Sequence, residues 1–225
     1  MTIEYLGLII SEGHVEMDPV KVAGVTEWPV PKNKKEVQQF LGFTNFYRRF
    51  IQDFSHHACA MFDLTGANTP FKWGTEQQAA FDKLLESITS TPVLASADDS
   101  KPFRVEADSS YFATGAVLSQ QLDSDGKWHP IAFYSKSLNA VERNYEIHDK
   151  EMLAIIRALE EWLHFLKGVQ HKTEIWTDHK NLEYFMTAKK LNQRQAHWSL
   201  YLSHFEFTLH HHPGQIMGKP DALSR

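Results

Sequence analysis

The sequence predicts an α/β fold, a mixed five-stranded sheet with flanking helices, preceded by a mainly helical region. Three observations point there. The second half carries β-type and helical runs in the order strand, strand, strand, helix, strand, helices, strand, helix, which is the pattern of an α/β layer. The first half is dominated instead by capped helical stretches with one apolar face. Between the two, residues 91–102 hold Pro92, Pro102 and Asp98-Asp99-Ser100, a composition suited to a linker.

Taken in order, residues 3–17 read as a hairpin, with Ile3–Ile10 turning at Glu12-Gly13 into a short return strand. Asp18-Pro19 supplies an N-cap and a proline at the first helical position, so a helix opens there and ends before Trp28-Pro29-Val30-Pro31. Asn33 with Glu36 has the spacing of a capping box, and the helix it starts places Val37, Phe40 and Leu41 on one face. Gly42 is expected to interrupt it, with a second helix following through Phe46, Phe50 and Ile51. Thr75-Glu76-Gln77-Gln78 forms another capping box ahead of a helix carrying Phe81, Leu84, Leu85 and Ile88.

In the second half, Phe103–Asp108, Tyr111–Gln120 and Trp128–Ser135 are strand-like, the last two separated by the turn Asp123-Ser124-Asp125-Gly126. A long helix fills 144–166 and stops at Gly168. Thr173–Thr177 is the fourth strand, helices follow around 179–187 and 193–202, Phe205–His211 is the fifth strand, and a short final helix holds Asp221.

Composition narrows the function classes. The chain has 225 residues, 42% hydrophobic and 23% charged, which is the composition of a globular protein. No apolar run approaches the ~20 residues of a membrane helix, and the N-terminus does not read as a signal peptide. The lone Cys59 excludes an internal disulfide and a cysteine-based zinc site, and an intracellular setting is expected. The net charge of −5 is not that of an overall basic nucleic-acid binder. Within the acidic first half, however, residues 28–52 carry Lys32, Lys34, Lys35, Arg48 and Arg49 against Glu36 alone. Such a local stripe serves a polyanion where the global sum does not.

Carboxylates carry the candidate chemistry. Asp108 ends the first strand of the second half and Asp178 ends the fourth, and sheet-based sites gather at strand ends. Taken singly, each is as well explained as a cap or turn aspartate. On the long helix, at 100° per residue, Ile155, Ile156, Leu159, Trp162, Leu163 and Leu166 fill an arc of about 20° to 140°. Glu146, Glu160 and Glu161 fall outside it, whereas Asp149 and Glu151 flank its two edges, so periodicity leaves both open.

Ala107-Asp108-Ser109 with Gly115-Ala116-Val117-Leu118-Ser119-Gln120, Pro130-Ile131-Ala132-Phe133-Tyr134-Ser135, Asn144-Tyr145 through Lys150-Glu151-Met152-Leu153-Ala154-Ile155, Thr177-Asp178-His179-Lys180-Asn181-Leu182, and His212-Pro213-Gly214 with Gly218-Lys219-Pro220-Asp221-Ala222-Leu223-Ser224-Arg225 together resemble one family. It is the ribonuclease H domain of Ty3/gypsy-type retrotransposon reverse transcriptases. Glu4-Tyr5-Leu6-Gly7-Leu8-Ile9-Ile10-Ser11 resembles the hairpin ending the palm of the same enzymes, and Phe40-Leu41-Gly42 with Asn45-Phe46-Tyr47-Arg48-Arg49-Phe50-Ile51 resembles their thumb. The resemblance therefore implies an end-of-palm, primer-grip-like hairpin at 1–17, a thumb-like helical subdomain at 18–90, a linker at 91–102 and a ribonuclease H-like domain at 103–225. No Tyr-x-Asp-Asp motif is present, so the polymerase carboxylates are expected outside this chain.

By the same resemblance the helix acid is Glu151, and Asp221 completes a four-carboxylate set with Asp108 and Asp178. Such a set holds two Mg²⁺ ions, with Mn²⁺ as substitute, which suit hard oxygen ligands. The implied reaction is endonucleolytic cleavage of RNA in an RNA–DNA hybrid, leaving 3′-hydroxyl and 5′-phosphate ends. His211, ten residues before Asp221, takes the place of a family residue that shuttles a proton or aids product release. His212 stands where the family commonly has Arg. Adjacent residues of a strand point to opposite faces, so His210-His211-His212 cannot jointly chelate a metal. Lys34, Lys35, Arg48 and Arg49 are candidates for phosphate contact, and Asn45 and Tyr47 for groove edges. The expected partners are the hybrid and the remaining fingers and palm, in a cytoplasmic retrotransposon particle. The rival readings are a hybrid-binding fragment that does not cleave, and another nuclease or an integrase on the same fold.

Overall fold

The computed structural model of the chain describes residues 2–90, 93–178 and 191–211. Its N-terminal strands are β1 (Ile3–Tyr5), β2 (Leu8–Ser11) and β3 (His14–Met17). The sequence reading had one strand over 3–10. The chain instead turns at Leu6-Gly7, whose φ angles of 49° and 78° take both residues out of the extended region. Gly7 meets this demand without strain, and a side chain there would collide with the Tyr47 hydroxyl at 2.7 Å.

Helix α1 (Pro19–Thr26) begins as expected, with the Asp18 carboxylate accepting from the Val20 N–H. Helix α2 (Lys34–Phe46) is capped by Asn33, which accepts from the Glu36 N–H at 3.0 Å, a cap worth about 1 kcal/mol. Gly42 does not interrupt α2. A glycine inside a helix costs about 1 kcal/mol against alanine, too little to end a helix anchored by buried Val37, Phe40, Leu41 and Thr44. The expected second helix through Phe50 and Ile51 is only a single 3₁₀ turn at Arg48–Phe50. Helix α3 (Phe54–Leu64), absent from the sequence reading, follows it. Helix α4 (Thr75–Thr89) is capped one residue earlier than expected, with Gln77 accepting from the Gly74 N–H.

Strand β4 (Leu94–Ala95) lies within 91–102 and pairs with β3, closing a four-stranded antiparallel sheet. The second sheet comprises β5 (Phe103–Ser109), β6 (Ala113–Gln121), β7 (Trp128–Ser137), β8 (Thr173–Thr177) and β9 (Phe207–His211), in the order β7-β6-β5-β8-β9. Its first three strands are antiparallel neighbours, while β8 runs parallel to β5 and β9 parallel to β8. This is the mixed five-stranded sheet the sequence predicts. The long helix is shorter than expected. Helix α5 (Ile147–Glu161) ends at Trp162, and the separate turn α6 (Leu163–Leu166) leaves Leu163 exposed rather than on the apolar arc. Helix α7 (Gln193–Leu202) completes the described elements. The helices expected at 179–187 and around Asp221 lie outside the described residues.

Strand alternation explains how both faces of the sheet are covered. Phe103, Val105, Ala107, Ala116 and Leu118 point to one side and bury against Met152, Ile155, Ile156 and Leu159 of α5. Val117 and Phe133 point the other way and join the core of the helical region, with Phe40, Phe50, Phe54, Met61 and Leu84. Polar contacts reinforce this seam. The Ser55 N–H donates to Ser135 Oγ at 3.1 Å, and Arg48 donates to the Ser135 carbonyl.

Candidate active site

Asp108 is the penultimate residue of β5, and Asp178 immediately follows β8. The parallel register pairs Glu106 with Trp176, so both aspartates lie two residues further along and level with one another. Glu151, on the first turns of α5, faces them. Oxygens of Asp108, Glu151 and Asp178 all lie within 4.8 Å of one another. Asp108 and Glu151 are buried, whereas Asp178 opens to solvent.

Glu151 is held in an unfavourable place for a charge. Burial and then the Asp108 carboxylate push its pKa well above the usual range; bonds from Ser109 oppose this, and Asp178 adds to the rise. Ser109 Oγ donates to Glu151 Oε1 at 2.7 Å, and the Ser109 N–H donates to the same oxygen at 3.2 Å. Glu151 Oε2 is buried with no hydrogen-bond partner among the described residues. An orphaned oxygen within a carboxylate cluster fits a hard divalent cation, which satisfies the oxygen and offsets the mutual repulsion.

Asp149 and Glu151 differ in their partners. Asp149 is equally buried, at 3% exposure, but accepts from Gln195 Nε2 at 2.9 Å and from Arg194. The Arg194 guanidinium in turn lies 3.7 Å from the Tyr145 ring centroid. Asp149 therefore ties α7 to the start of α5, and Glu151 belongs to the cluster. Glu160 and Glu161 are exposed, as their helical angles predict, and so is Glu146, which precedes the first turn of α5.

His211 lies beside the cluster, because the β8–β9 register pairs it with Thr177. Its Nε2 is 2.9 Å from the Asp178 carbonyl oxygen, to which the ring N–H donates. His210 points elsewhere, stacking on Trp176 with ring centroids 5.0 Å apart, so the two neighbours diverge as strand geometry requires. Asp221 and His212 lie outside the described residues.

The candidate nucleic-acid contacts are placed unequally. Lys35 and Asn45 are exposed. Lys34 Nζ caps carbonyls after α3, donating to Gly66 O at 2.7 Å and Ala67 O at 3.3 Å. Tyr47 is buried, with its hydroxyl donating to Gly7 O at 3.3 Å, and so is not offered to a groove edge. Arg48 is committed to Ser135 and to the Phe54 ring. Arg49 Nε is buried without a partner among the described residues, and burial lowers the pKa of the group. Lys34 and Arg48 thus tie the helical region to itself and to the sheet. Sequence reasoning missed this, and it also missed the bond from Ser109 to Glu151. The available signal was alternation, since Ser109 continues the α5-facing row of Phe103, Val105 and Ala107.

A mixed sheet with acidic residues at two parallel strand ends and on the facing helix is the arrangement of an RNase H-like fold. Residues 98–205 match the family described as an RNase H-like domain found in reverse transcriptase. Over 225 residues the chain is 37% identical to the Transposon Tf2-3 and Tf2-4 polyproteins of Schizosaccharomyces pombe, covering 99% of this chain and 17% of each relative. The chain thus spans about one-sixth of the length of those polyproteins. Its fold superposes on the foamy viral protease-reverse transcriptase in complex with RNA/DNA hybrid, with a TM-score of 0.78 and 20% identity over 100% of this chain and 30% of that one. The double-stranded DNA complex of the same viral protein gives 0.77 and 19% identity, over 94% of this chain and 44% of the other.

Proposed function

We propose that the chain hydrolyses the RNA strand of RNA–DNA hybrids, as the ribonuclease H part of a retrotransposon reverse transcriptase. The observation that carries the reading is the convergence of Asp108, Glu151 and Asp178, with ligand oxygens within 4.8 Å, on an RNase H-like sheet. These three residues would hold divalent ions, with Asp221 as the fourth carboxylate. Two Mg²⁺ ions at such a site, or Mn²⁺ in their place, supply a water nucleophile at neutral pH and stabilise charge on the phosphoryl and leaving oxygens.

The chain's own groups prepare that chemistry. Asp108 and Asp178 bring two carboxylates level at adjacent strand ends, and Glu151 adds a third from the helix. We assign His211, whose Nε2 bonds the Asp178 carbonyl, the carrying of a proton at the edge of the cluster. Beyond the β5 end, Tyr111 and Phe112 are exposed and Lys150 Nζ lies 5.1 Å from the Tyr111 ring, an aromatic and cationic surface suited to a nucleic-acid strand. Lys35 and Asn45 extend the candidate contact onto the helical region, which we read as the thumb at 18–90, joined through 91–102 to the nuclease domain at 103–225.

The exposed apolar side chains of Ile3, Tyr5 and Leu6 support packing of the hairpin region, read as the end of the palm at 1–17, against the rest of a reverse transcriptase, its fingers and palm. The setting proposed for that assembly is a cytoplasmic retrotransposon particle. No described helix is long and apolar enough to cross a membrane.

The test is strand-selective cleavage. With a labelled RNA–DNA hybrid and Mg²⁺ or Mn²⁺, only the RNA should be cut, and EDTA should stop it. Cutting of duplex DNA at a similar rate would reject the ribonuclease assignment, and tight hybrid binding without cutting would reduce the chain to a binding module.

A further inference from the structure

The alternation of β5 buries Phe103, Val105 and Ala107 against α5. Ser109 is the next residue of that row, so the side chain presented to the first turns of α5 is a hydroxyl rather than a hydrocarbon. Both of its donors reach one acceptor: Oγ and the backbone N–H approach Glu151 Oε1 at 2.7 Å and 3.2 Å. The other oxygen, Oε2, is buried and unpartnered among the described residues.

The terminal torsion of a glutamate is broad and roughly two-fold, so packing alone does not select one presentation of the carboxylate. Two donors on a single oxygen do select one. They also differentiate the oxygens, one being saturated by protein and one left for a ligand. Asp149 cannot do the same for Glu151, because its oxygens are acceptors, taken up by Gln195 and Arg194 on the opposite edge of the helix.

We propose that Ser109 is the positioning residue of the carboxylate cluster, fixing Glu151 Oε1 so that Oε2 is the oxygen presented to a divalent cation. This rests on the metal-dependent reading given above. Groups that orient metal ligands typically contribute 10–100-fold to metal affinity or activity. Ser109→Ala keeps the backbone donor and loses the shorter, hydroxyl bond, which places its effect near the lower end, about tenfold. Ser109→Thr retains the hydroxyl and suits a strand end, so it should restore binding.

The experiment is calorimetric titration of Mn²⁺ into the full chain without nucleic acid, for the unaltered protein, Ser109→Ala and Ser109→Thr. Thermal unfolding in EDTA shows that each variant is folded. Ser109→Ala should bind Mn²⁺ about tenfold more weakly and Ser109→Thr within about twofold of the unaltered protein. In cleavage assays, the Mg²⁺ concentration giving half-maximal rate should rise by a similar factor in Ser109→Ala, while KM for the hybrid is unchanged. Equal Mn²⁺ affinity in Ser109→Ala and the unaltered protein overturns the assignment. So does a loss in Ser109→Thr as large as that in Ser109→Ala. Absence of Mn²⁺ binding by the unaltered protein overturns the metal reading and the role of Ser109 with it, an outcome distinct from the other two.

Discussion

Glu151→Gln removes one ionisable group from a cluster whose ligand oxygens lie within 4.8 Å of one another, and it keeps the shape of the side chain. Two unit charges at that separation repel by roughly 3.5 kcal/mol at an effective dielectric of 20. Protonation of Glu151 caps this cost and solvent around exposed Asp178 screens part of it, so a gain of about 1–2 kcal/mol is expected in metal-free protein at pH 8. For a protein of this size that corresponds to a rise in Tm of about 2–8 °C.

The pH dependence follows from the raised pKa of Glu151. The folded protein retains a proton that the unfolded chain releases, so its stability falls as pH rises above the ordinary glutamate value toward the raised one. Glu151→Gln lacks this loss. Its advantage should therefore vanish near pH 4 and grow toward pH 8. Calorimetric unfolding in EDTA across that range measures it, and saturating Mn²⁺ should invert the order, because only the unaltered cluster gains the full binding free energy. A variant less stable in EDTA at pH 8, or a difference independent of pH, would mean that the three carboxylates do not repel one another as described.

Asp53 gives a second, independent pH effect: burial pushes its pKa to about 7, and its Oδ1 has no partner among the described residues. Stability should fall between about pH 4 and pH 7 as the unfolded chain, but not the folded one, releases this proton, so urea unfolding should find Asp53→Asn equal to the unaltered protein near pH 4 and more stable at pH 8. Phe133 joins the sheet to the core of the helical region, so Phe133→Ala should cost about 3–5 kcal/mol in urea unfolding; a cost below about 1 kcal/mol would mean that this face is not packed as described.

Local chemistry was legible in the sequence wherever a few neighbouring residues decide the outcome. Asp18 and Asn33 cap their helices as read, and Thr173–Thr177 has the bounds its apolar pattern predicts. The turn at Leu6-Gly7 was hidden because the residues around it are apolar without a break, and helix α3 was missed although Phe54, Ala58, Met61 and Leu64 carry helical spacing. Long-range pairings were beyond reach. Arg48 reads as a phosphate ligand until the sheet brings Ser135, 87 residues away, to its guanidinium. Periodicity left Asp149 and Glu151 equivalent; family resemblance favoured Glu151. The physical distinction lies in Gln195 and Ser109, which the helix pattern does not contain.

Everything proposed for the site depends on whether the three converging carboxylates perform metal-dependent cleavage of a hybrid. The most direct measurement is single-turnover cleavage of a 5′-labelled RNA paired with DNA, in Mg²⁺, by the unaltered chain and by Asp108→Asn, Glu151→Gln and Asp178→Asn. RNA products ending in 3′-hydroxyl are expected, with none in EDTA and loss of cleavage in each variant while hybrid binding is retained. Cleavage that persists in any of the three variants at the unaltered rate would contradict this expectation.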